Sequence, residues 1–334
     1  MTYVHNAKIP FSEIKLEPDL VLGGEDTNEY YFGDMSIVKE DNEGNIYVID
    51  WRIGDIKKFS YDGEYIKTIG KKGQGPGEFN TAPTDLDFYN DNRMLVSEGN
   101  SNKFHIFDPE DNFLKAITRQ DKPWRIALNS KNILYENYKI AFNPFAGDAS
   151  INDKPLLQRS DENFEVIETF GKRKIYDKPI LNWYMNSRIL GIGKRDNIIA
   201  CYTRRNAIEI YKSDTLSIVI DRHIYFTPRE PEITIKGNSI SGKIDGITRG
   251  YSVATDSSGN LYILTTCRGT DENPESGEMK GINLLLEIYN SKGWLIYCIP
   301  IRKYWPANIF VGKGNKIYFP DFESFTVIRF KTIF

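Results

Sequence analysis

The residues from Gly70 to Phe79, "GKKGQGPGEF", bring four glycines, a proline and two lysines together, a composition that can wrap a phosphate. A phosphate loop, however, needs GxxxxGK[ST] between a strand and a helix, and the dinucleotide fingerprint needs a helix after its glycines. Neither pattern is present. The stretch reads as a hinge, with Gly73, Gly75 and Gly77 at positive φ and Pro76 stiffening the path. Metal and nucleophile chemistry are equally thin. The three histidines, His5, His105 and His223, are far apart in the chain. No GxSxG occurs, and no Ser–His or Cys–His pair is suggested by position. Cys201, Cys267 and Cys298 are odd in number, widely spaced and without a CxxC, so they are no disulfide framework. Oxygen donors remain. Asp50, Glu98, Asn137 and Asp321 each close a short apolar run, and such a set could hold calcium. Asp50 with Glu98 or with Asp321 could also supply the two carboxylates of a glycoside hydrolase. The plainer reading is that these side chains accept hydrogen bonds from turn amides.

A repeat positions these donors. "GNIYVIDWRIGDIKKFSYDGEYIKTIG", Gly44 to Gly70, is an apolar run, a turn, a second run ending in an aromatic residue, an Asp-Gly turn and a third run. "RMLVSEGNSNKFHIFDPEDNFLKAI" from Arg93 and "NIIACYTRRNAIEIYKSDTLSIVI" from Asn197 repeat it without a gap. "NILYENY" from Asn132 and "NLYILTT" from Asn260 open copies with an insertion, and "KIYFPDFESFTVIRF" from Lys316 opens a last copy that lacks its final strand. One more strand precedes each copy, at 36–38, 85–88, 125–128, 189–192, 252–255 and 308–311. The unit is therefore four antiparallel strands, a to d, and it occurs six times. A spare strand at 13–24, "EIKLEPDLVLGG", can pair with the last unit and close a ring, which removes both open edges. The b strands, "IYVI", "MLVS", "IIAC", "LYIL" and "IYF", are nearly continuous apolar runs, the pattern of sheets covered on both faces. The expected architecture is all-β, a six-bladed β-propeller forming one domain over residues 1–334.

The "GNIYVID…IKKF…DGEYIKTIG…GQGPGEF" run resembles the NHL repeat, and the whole chain is similar to the bacterial six-bladed β-propeller proteins built from it. The first two units carry the match, and the others agree in spacing and pattern. The resemblance implies a propeller fold and, in many members, export as a periplasmic protein or surface lipoprotein. It implies no single activity, because related propellers include peptide-amidating lyases, lactonases and many binding or scaffold domains. The histidine-based zinc site of the amidating lyases has no counterpart in three dispersed histidines.

In a four-stranded blade the b–c turns and d–a crossovers emerge on one face of the ring. All the long insertions belong to that group: "YKIAFNPFAGDASINDKP" at 138–155, "TCRGTDENPESGEMKGIN" at 266–283, and the crossovers at 171–187 and 222–249. Long loops on a rigid scaffold are where binding usually resides, so function is expected on this insertion face. The b-strand ends give Asp50, Glu98, Asn137, Tyr202, Thr265 and Asp321 as candidate funnel residues. The a-strand starts add Asp34, Asp85, Arg125, Arg188 and Arg249, and the aromatic neighbours are Trp51, Trp124, Trp183, Tyr184, Tyr251 and Trp305. A polar ring with aromatic walls suits a small ligand. The arginines could share an anion, and the tryptophans could equally be wedges between blades.

Charge and hydropathy exclude several classes. With 43 basic and 46 acidic side chains the formal net charge is −3, so no global field recruits nucleic acid or an anionic membrane. The basic runs "GKRK" and "TRRN" are short and stand near the acidic "DENPESGE". No apolar run reaches the length of a membrane span, and no secretion signal is visible at the N-terminus. The expectation is a monomeric, non-catalytic binding or scaffold propeller without a cofactor, holding a carbohydrate, peptide or protein partner on the insertion face. The alternative is a calcium-dependent lactonase- or lyase-type enzyme with Asp50, Glu98, Asn137 and Asp321 at the funnel.

Overall fold

The computed structural model describes residues 1–5, 14–24, 30–119, 125–137, 154–177, 181–182, 185–222, 232–236, 239–243, 249–268 and 282–331. Each repeat forms one antiparallel sheet in the order a-b-c-d. Blade 1 comprises Met35–Glu40, Ile46–Asp50, Asp55–Phe59 and Tyr65–Ile69, and blade 2 comprises Asp85–Phe88, Met94–Glu98, Lys103–Phe107 and Phe113–Thr118. Blade 3 is Ile126–Leu128, Leu134–Asn137, Leu157–Ser160 and Val166–Phe170, and blade 4 is Arg188–Ile192, Asn197–Tyr202, Ala207–Lys212 and Thr215–Asp221. Arg249–Thr255, Leu261–Arg268, Ile282–Tyr289 and Leu295–Ile301 make blade 5. Phe310–Val311, Ile317–Asp321 and Thr326–Phe330 make three strands of blade 6. Its fourth strand is Pro18–Gly23, antiparallel to Thr326–Phe330, so the N-terminal segment closes the ring. Every a strand packs against the a strands of both neighbouring blades, which places the six of them around the axis.

Burial follows this geometry. All five residues of strand b are buried in blades 1, 2 and 6, whereas strand d of blade 1 alternates between half-buried, exposed and buried positions. Interleaving apolar side chains fill the wedges between blades; one such cluster joins Ile49 and Ile56 of blade 1 to Leu86, Met94 and Val96 of blade 2. The turns opposite the insertion face are clamped by their own side chains. In "DNEGN" Asp41 Oδ1 accepts the amides of Glu43, Gly44 and Asn45, and its Oδ2 accepts Asn45 Nδ2 and the Tyr47 hydroxyl. In "DSSGN" Asp256 repeats the pattern with Ser258, Asn260 and Tyr262. These aspartates thus serve turns, which is the ordinary use of Asx residues.

The glycine-rich hinge is confirmed in place but not in detail. Its ends are joined by a bridge between Lys72 and Phe79, whose ring is fully buried between blades 1 and 2. Gly77 has a positive φ, as does Gly70, whereas Gly73 and Gly75 do not. Those two glycines instead leave room for the Glu78 side chain. The Glu78 carboxylate folds back to accept the Gly75 amide at 2.8 Å, and a Cβ on Gly73 would collide with it.

Two features lie outside the repeat. Thr2–His5 runs parallel to the outer edge of blade 4 and covers it, with Val4 buried. Glu232–Lys236 and Ser239–Lys243 pair as a separate hairpin within the crossover from blade 4 to blade 5.

Candidate functional site

Among the described residues, two concavities stand out. The first is the axial channel, about 260 Å3, lined by a-strand residues of all six blades. Its charged members are Lys39, Asp85, Asp87 and Arg125. Asp85 and Asp87 alternate along strand 2a and bind strand 3a, accepting the amides of Ile126 at 3.2 Å and Leu128 at 2.8 Å. Lys39 approaches Asp87 at 3.7 Å. Burial pushes the Asp85 carboxyl above its ordinary range, against the pull of Lys39 and Arg125. On the other side of the channel Ser252 contacts Asn308 and accepts the Ile309 amide at 3.0 Å, which joins blades 5 and 6. The channel wall is thus largely occupied in holding the a strands to one another.

The second concavity is a depression of about 390 Å3 on the insertion face, lined by Thr203, Arg204, Tyr251, Thr266, Trp305, Pro306, Ala307 and Phe322. Its platform is rigidly built. The Trp305 amide donates to Asp321 Oδ1 at 2.7 Å, the Ala307 amide to the Pro320 carbonyl at 2.9 Å, and the Tyr251 hydroxyl to the Pro306 carbonyl at 3.2 Å. Trp305 and Phe322 are nevertheless 40% and 38% exposed. Trp51, Tyr31 and Phe325 are also exposed on b–c turns and crossovers of this face. A framework that fixes exposed rings in place lowers the ordering cost of binding.

The b-strand-end side chains do not line the channel. Asp50 is fully buried, and its two oxygens accept the amides of Gly33, Asp34, Arg52 and Ile53 at 2.6–3.2 Å. Glu98 accepts the Thr81 amide at 2.5 Å on one oxygen and meets His105 Nε2 at 2.7 Å with the other. Burial alone would raise the Glu98 carboxyl, and these bonds together hold it below the usual range. Asp321 takes the Trp305 amide and the Ser324 hydroxyl. In blades 1, 2 and 6 the carboxylate ending strand b therefore anchors the crossover 16 or 17 residues upstream. With their oxygens engaged inside their own blades, these acids are a poor fit for a shared calcium ion. Among the described residues no group of three or more His, Cys, Asp or Glu is placed to hold a metal. Asp50→Ala is expected to cost about 1–3 kcal/mol, because it takes the acceptor from four part-buried amides; urea unfolding measures this, and an unchanged midpoint would refute the anchoring role.

The remaining candidates are dispersed. Counted from the a–b turn, in which Glu40, Phe88 and Leu128 face Ile46, Met94 and Leu134, the equivalent of Asp50 in blade 3 is residue 138. Asn137 is one position short, and residue 138 lies outside the described residues. Tyr202 is buried and donates to Glu209, and Thr265 is buried and accepts from Arg222. Arg125 lines the channel, whereas Arg188 bonds the Asn186 carbonyl beside Tyr202 in blade 4. Trp124, Trp183 and Tyr184 lie outside the described residues, as does the side chain of Arg249. Trp51 is exposed, and Tyr251 lines both concavities. The depression is instead lined by the residues one past the positions equivalent to Asp50: Thr203, Thr266 and Phe322 follow Tyr202, Thr265 and Asp321, as Trp51 follows Asp50. Alternation along a strand holds the signal, since a buried terminal side chain turns its successor the other way.

Fold and site together define a six-bladed β-propeller with its elaborated face at the mouth of the ring. The chain belongs to the DUF5128 family of six-bladed β-propellers, whose profile matches residues 23–245. No curated protein matches it. Among solved structures, it is similar to a protein from Bacteroides fragilis NCTC 9343 thought to be exported, with TM-score 0.62, 10% identity, and 98% and 99% of the two chains covered. It is also similar to a DUF4221 family member from Bacteroides vulgatus, with TM-score 0.61, 12% identity, and 95% and 97% covered. Virginiamycin B lyase from Staphylococcus aureus aligns with TM-score 0.51 and 11% identity over 93% and 98% of the chains. At these identities the likeness is one of fold. Among the described residues no helix is long and apolar enough to cross a membrane.

Proposed function

We propose that this protein is an exported, non-catalytic binding propeller that holds an oligosaccharide in the aromatic depression of its insertion face. The observation that carries this reading is the pairing of Trp305 and Phe322, exposed on a backbone held by Asp321 and Pro320, with the hydroxyl-bearing Thr203 and Thr266 beside them. A sugar ring has an apolar C–H face and a polar rim, and an open aromatic shelf beside polar groups suits both. A buried apolar peptide anchor would favour an enclosed pocket instead. Export is supported by the likeness to the Bacteroides fragilis protein. Isothermal titration against a panel of oligosaccharides and peptides tests the reading. At least one saccharide is expected to bind, and Trp305→Ala is expected to weaken it about tenfold or more without loss of fold. Equal binding by the variant, or binding of peptides alone, would sink the proposal. Turnover of a lactone by calcium-loaded protein would replace it with the enzyme reading.

A further inference from the structure

Glu40, Phe88, Leu128, Ile192, Thr255 and Val311 end the a strands at equivalent places, each facing the residue six positions on. Counted back from them, the a strands form two rings of equivalent positions. Three residues before stand Ile37, Asp85, Arg125, Ile189, Ser252 and Asn308, and one residue before stand Lys39, Asp87, Ala127, Gly191, Ala254 and Phe310. All twelve line the axial channel. Neighbours within a ring meet: Lys39 lies 3.7 Å from Asp87 on one side and 5.9 Å from the centre of the Phe310 ring on the other, and Ser252 bonds Asn308. Lys39 and Arg125 both act on the Asp85 carboxylate through their charges. The four ionisable side chains thus share one side of the channel, that of blades 1 to 3. Across the ring from Lys39 and Asp87, in blades 4 and 5, are Gly191 and Ala254, whose small size leaves the cavity of about 260 Å3 open beside the charges.

The fold does not require these charges. Asp85 accepts the Ile126 amide of blade 3, and at the equivalent seam between blades 5 and 6 the neutral Ser252 accepts the Ile309 amide. Arg125 makes no hydrogen bond or ion pair among the described residues. With Asp85 ionised, two cations and two carboxylates balance, so a ligand of net charge would leave one charge uncompensated. A ligand with one charge of each sign matches both kinds. We propose that the axial channel binds a small zwitterion, an α-amino acid with a short side chain, its carboxylate on Arg125 and its ammonium on Asp85, in the space left by Gly191 and Ala254. An ammonium beside Asp85 favours the charged carboxylate, which burial alone opposes. This site is separate from the aromatic depression, with which it shares only Tyr251.

Isothermal titration with glycine, L-alanine and L-serine, and with acetate and methylammonium as the two charges apart, tests the proposal. At least one amino acid is expected to bind saturably, and each separate ion about tenfold more weakly or worse. Arg125→Gln and Asp85→Asn should each weaken the amino acid about tenfold or more, since each leaves one ligand charge without its partner. Asp85→Asn keeps an acceptor for the Ile126 amide. Ala254→Leu, which fills the channel without altering a charge, should abolish binding, and Trp305→Ala should leave it unchanged. Saturable binding by none of the three amino acids, acetate or methylammonium binding as tightly as the amino acid, or wild-type affinity in Arg125→Gln would each overturn the proposal. Should Asp85→Asn or Ala254→Leu fail to fold, Arg125→Gln decides alone.

Discussion

Removal of residues 1–24 is expected to leave a chain that no longer folds cooperatively and that aggregates. Removal of residues 1–5 alone should leave it folded. The difference lies in what each segment covers. Thr2–His5 adds a fifth strand outside a blade that already has four of its own. Pro18–Gly23 is the fourth strand of blade 6, and the chain continues from it into strand a of blade 1. Without it the fully buried strand Thr326–Phe330 becomes an open edge carrying Val327, Ile328 and Phe330, a template for aggregation. Leu22, 2% exposed, packs with Phe32, Phe59 and Val327 and so joins blades 6 and 1. Leu22→Ala should therefore cost about 2–4 kcal/mol, measured by urea unfolding. Asp19 adds an electrostatic latch, bonding Arg329 at 2.8 Å and Lys316 at 2.5 Å. Partial burial pulls its pKa upward, but the two cations win and hold it below the usual value. A carboxyl with a depressed folded pKa stabilises the fold above its unfolded pKa, near 3.9, and that contribution is lost as pH falls through the folded value. The ring should thus loosen at blade 6 in acid. A synthetic peptide of residues 14–24 should restore cooperative unfolding to the truncated chain; a truncated chain that unfolds as cooperatively as the full one would disprove closure by this strand.

The six-fold repeat was legible because blade strands are buried on both faces, so "IYVI" and "MLVS" stand out without alternation. Strand 2a at Asp85–Phe88 falls where the pattern puts it, and the closing strand occupies the later part of the 13–24 segment. The hairpin at 232–243 carried its own signal: "EITIKGNSIS" alternates on both sides of a Gly-Asn pair, a strong hairpin mark. That signal is local, and nothing in the six-fold pattern requires a hairpin inside a crossover. The strand Thr2–His5 offered only four residues and pairs with a strand more than two hundred positions away, a contact that local pattern cannot announce. The candidate site shows a different limit. Residue type correctly marked the polar b-strand ends, but type does not say which way a side chain turns. Asp50, Glu98 and Asp321 turn into the blade and hold backbone amides. Their successors Trp51 and Phe322 turn outwards, so a one-residue shift separates anchor from exposed surface.

Arg222→Met is expected to destabilise the protein by about 3–5 kcal/mol, the cost of leaving a buried charge without its partner. Arg222 has no solvent exposure and joins blade 4 to blade 5. Its Nε and Nη2 reach Glu287 Oε2 at 3.0 and 2.8 Å, and Nη2 also donates to Thr265 at 2.5 Å. The Tyr289 hydroxyl donates to the same glutamate oxygen at 2.8 Å. Burial by itself would lower the Arg222 pKa, yet the adjoining Glu287 charge raises it, so the guanidinium keeps its proton. Strand 5b carries Thr265 at the position where blades 1, 2 and 6 have a carboxylate that anchors the incoming crossover. Arg222, at the start of the crossover entering blade 5, meets that threonine and so reverses the arrangement, with the charge on the crossover and the acid on strand c. The pair is therefore expected to act as a unit. Glu287→Leu alone should be as damaging as Arg222→Met, whereas the double variant should recover much of the loss, because well-packed apolar groups can replace a buried ion pair at little cost. A double-mutant cycle by urea unfolding measures the coupling. If the two losses simply added, Arg222 and Glu287 would be acting independently, and the seam between blades 4 and 5 would owe its stability to the apolar cluster of Ile199, Ile208, Ile220 and Ile263 instead.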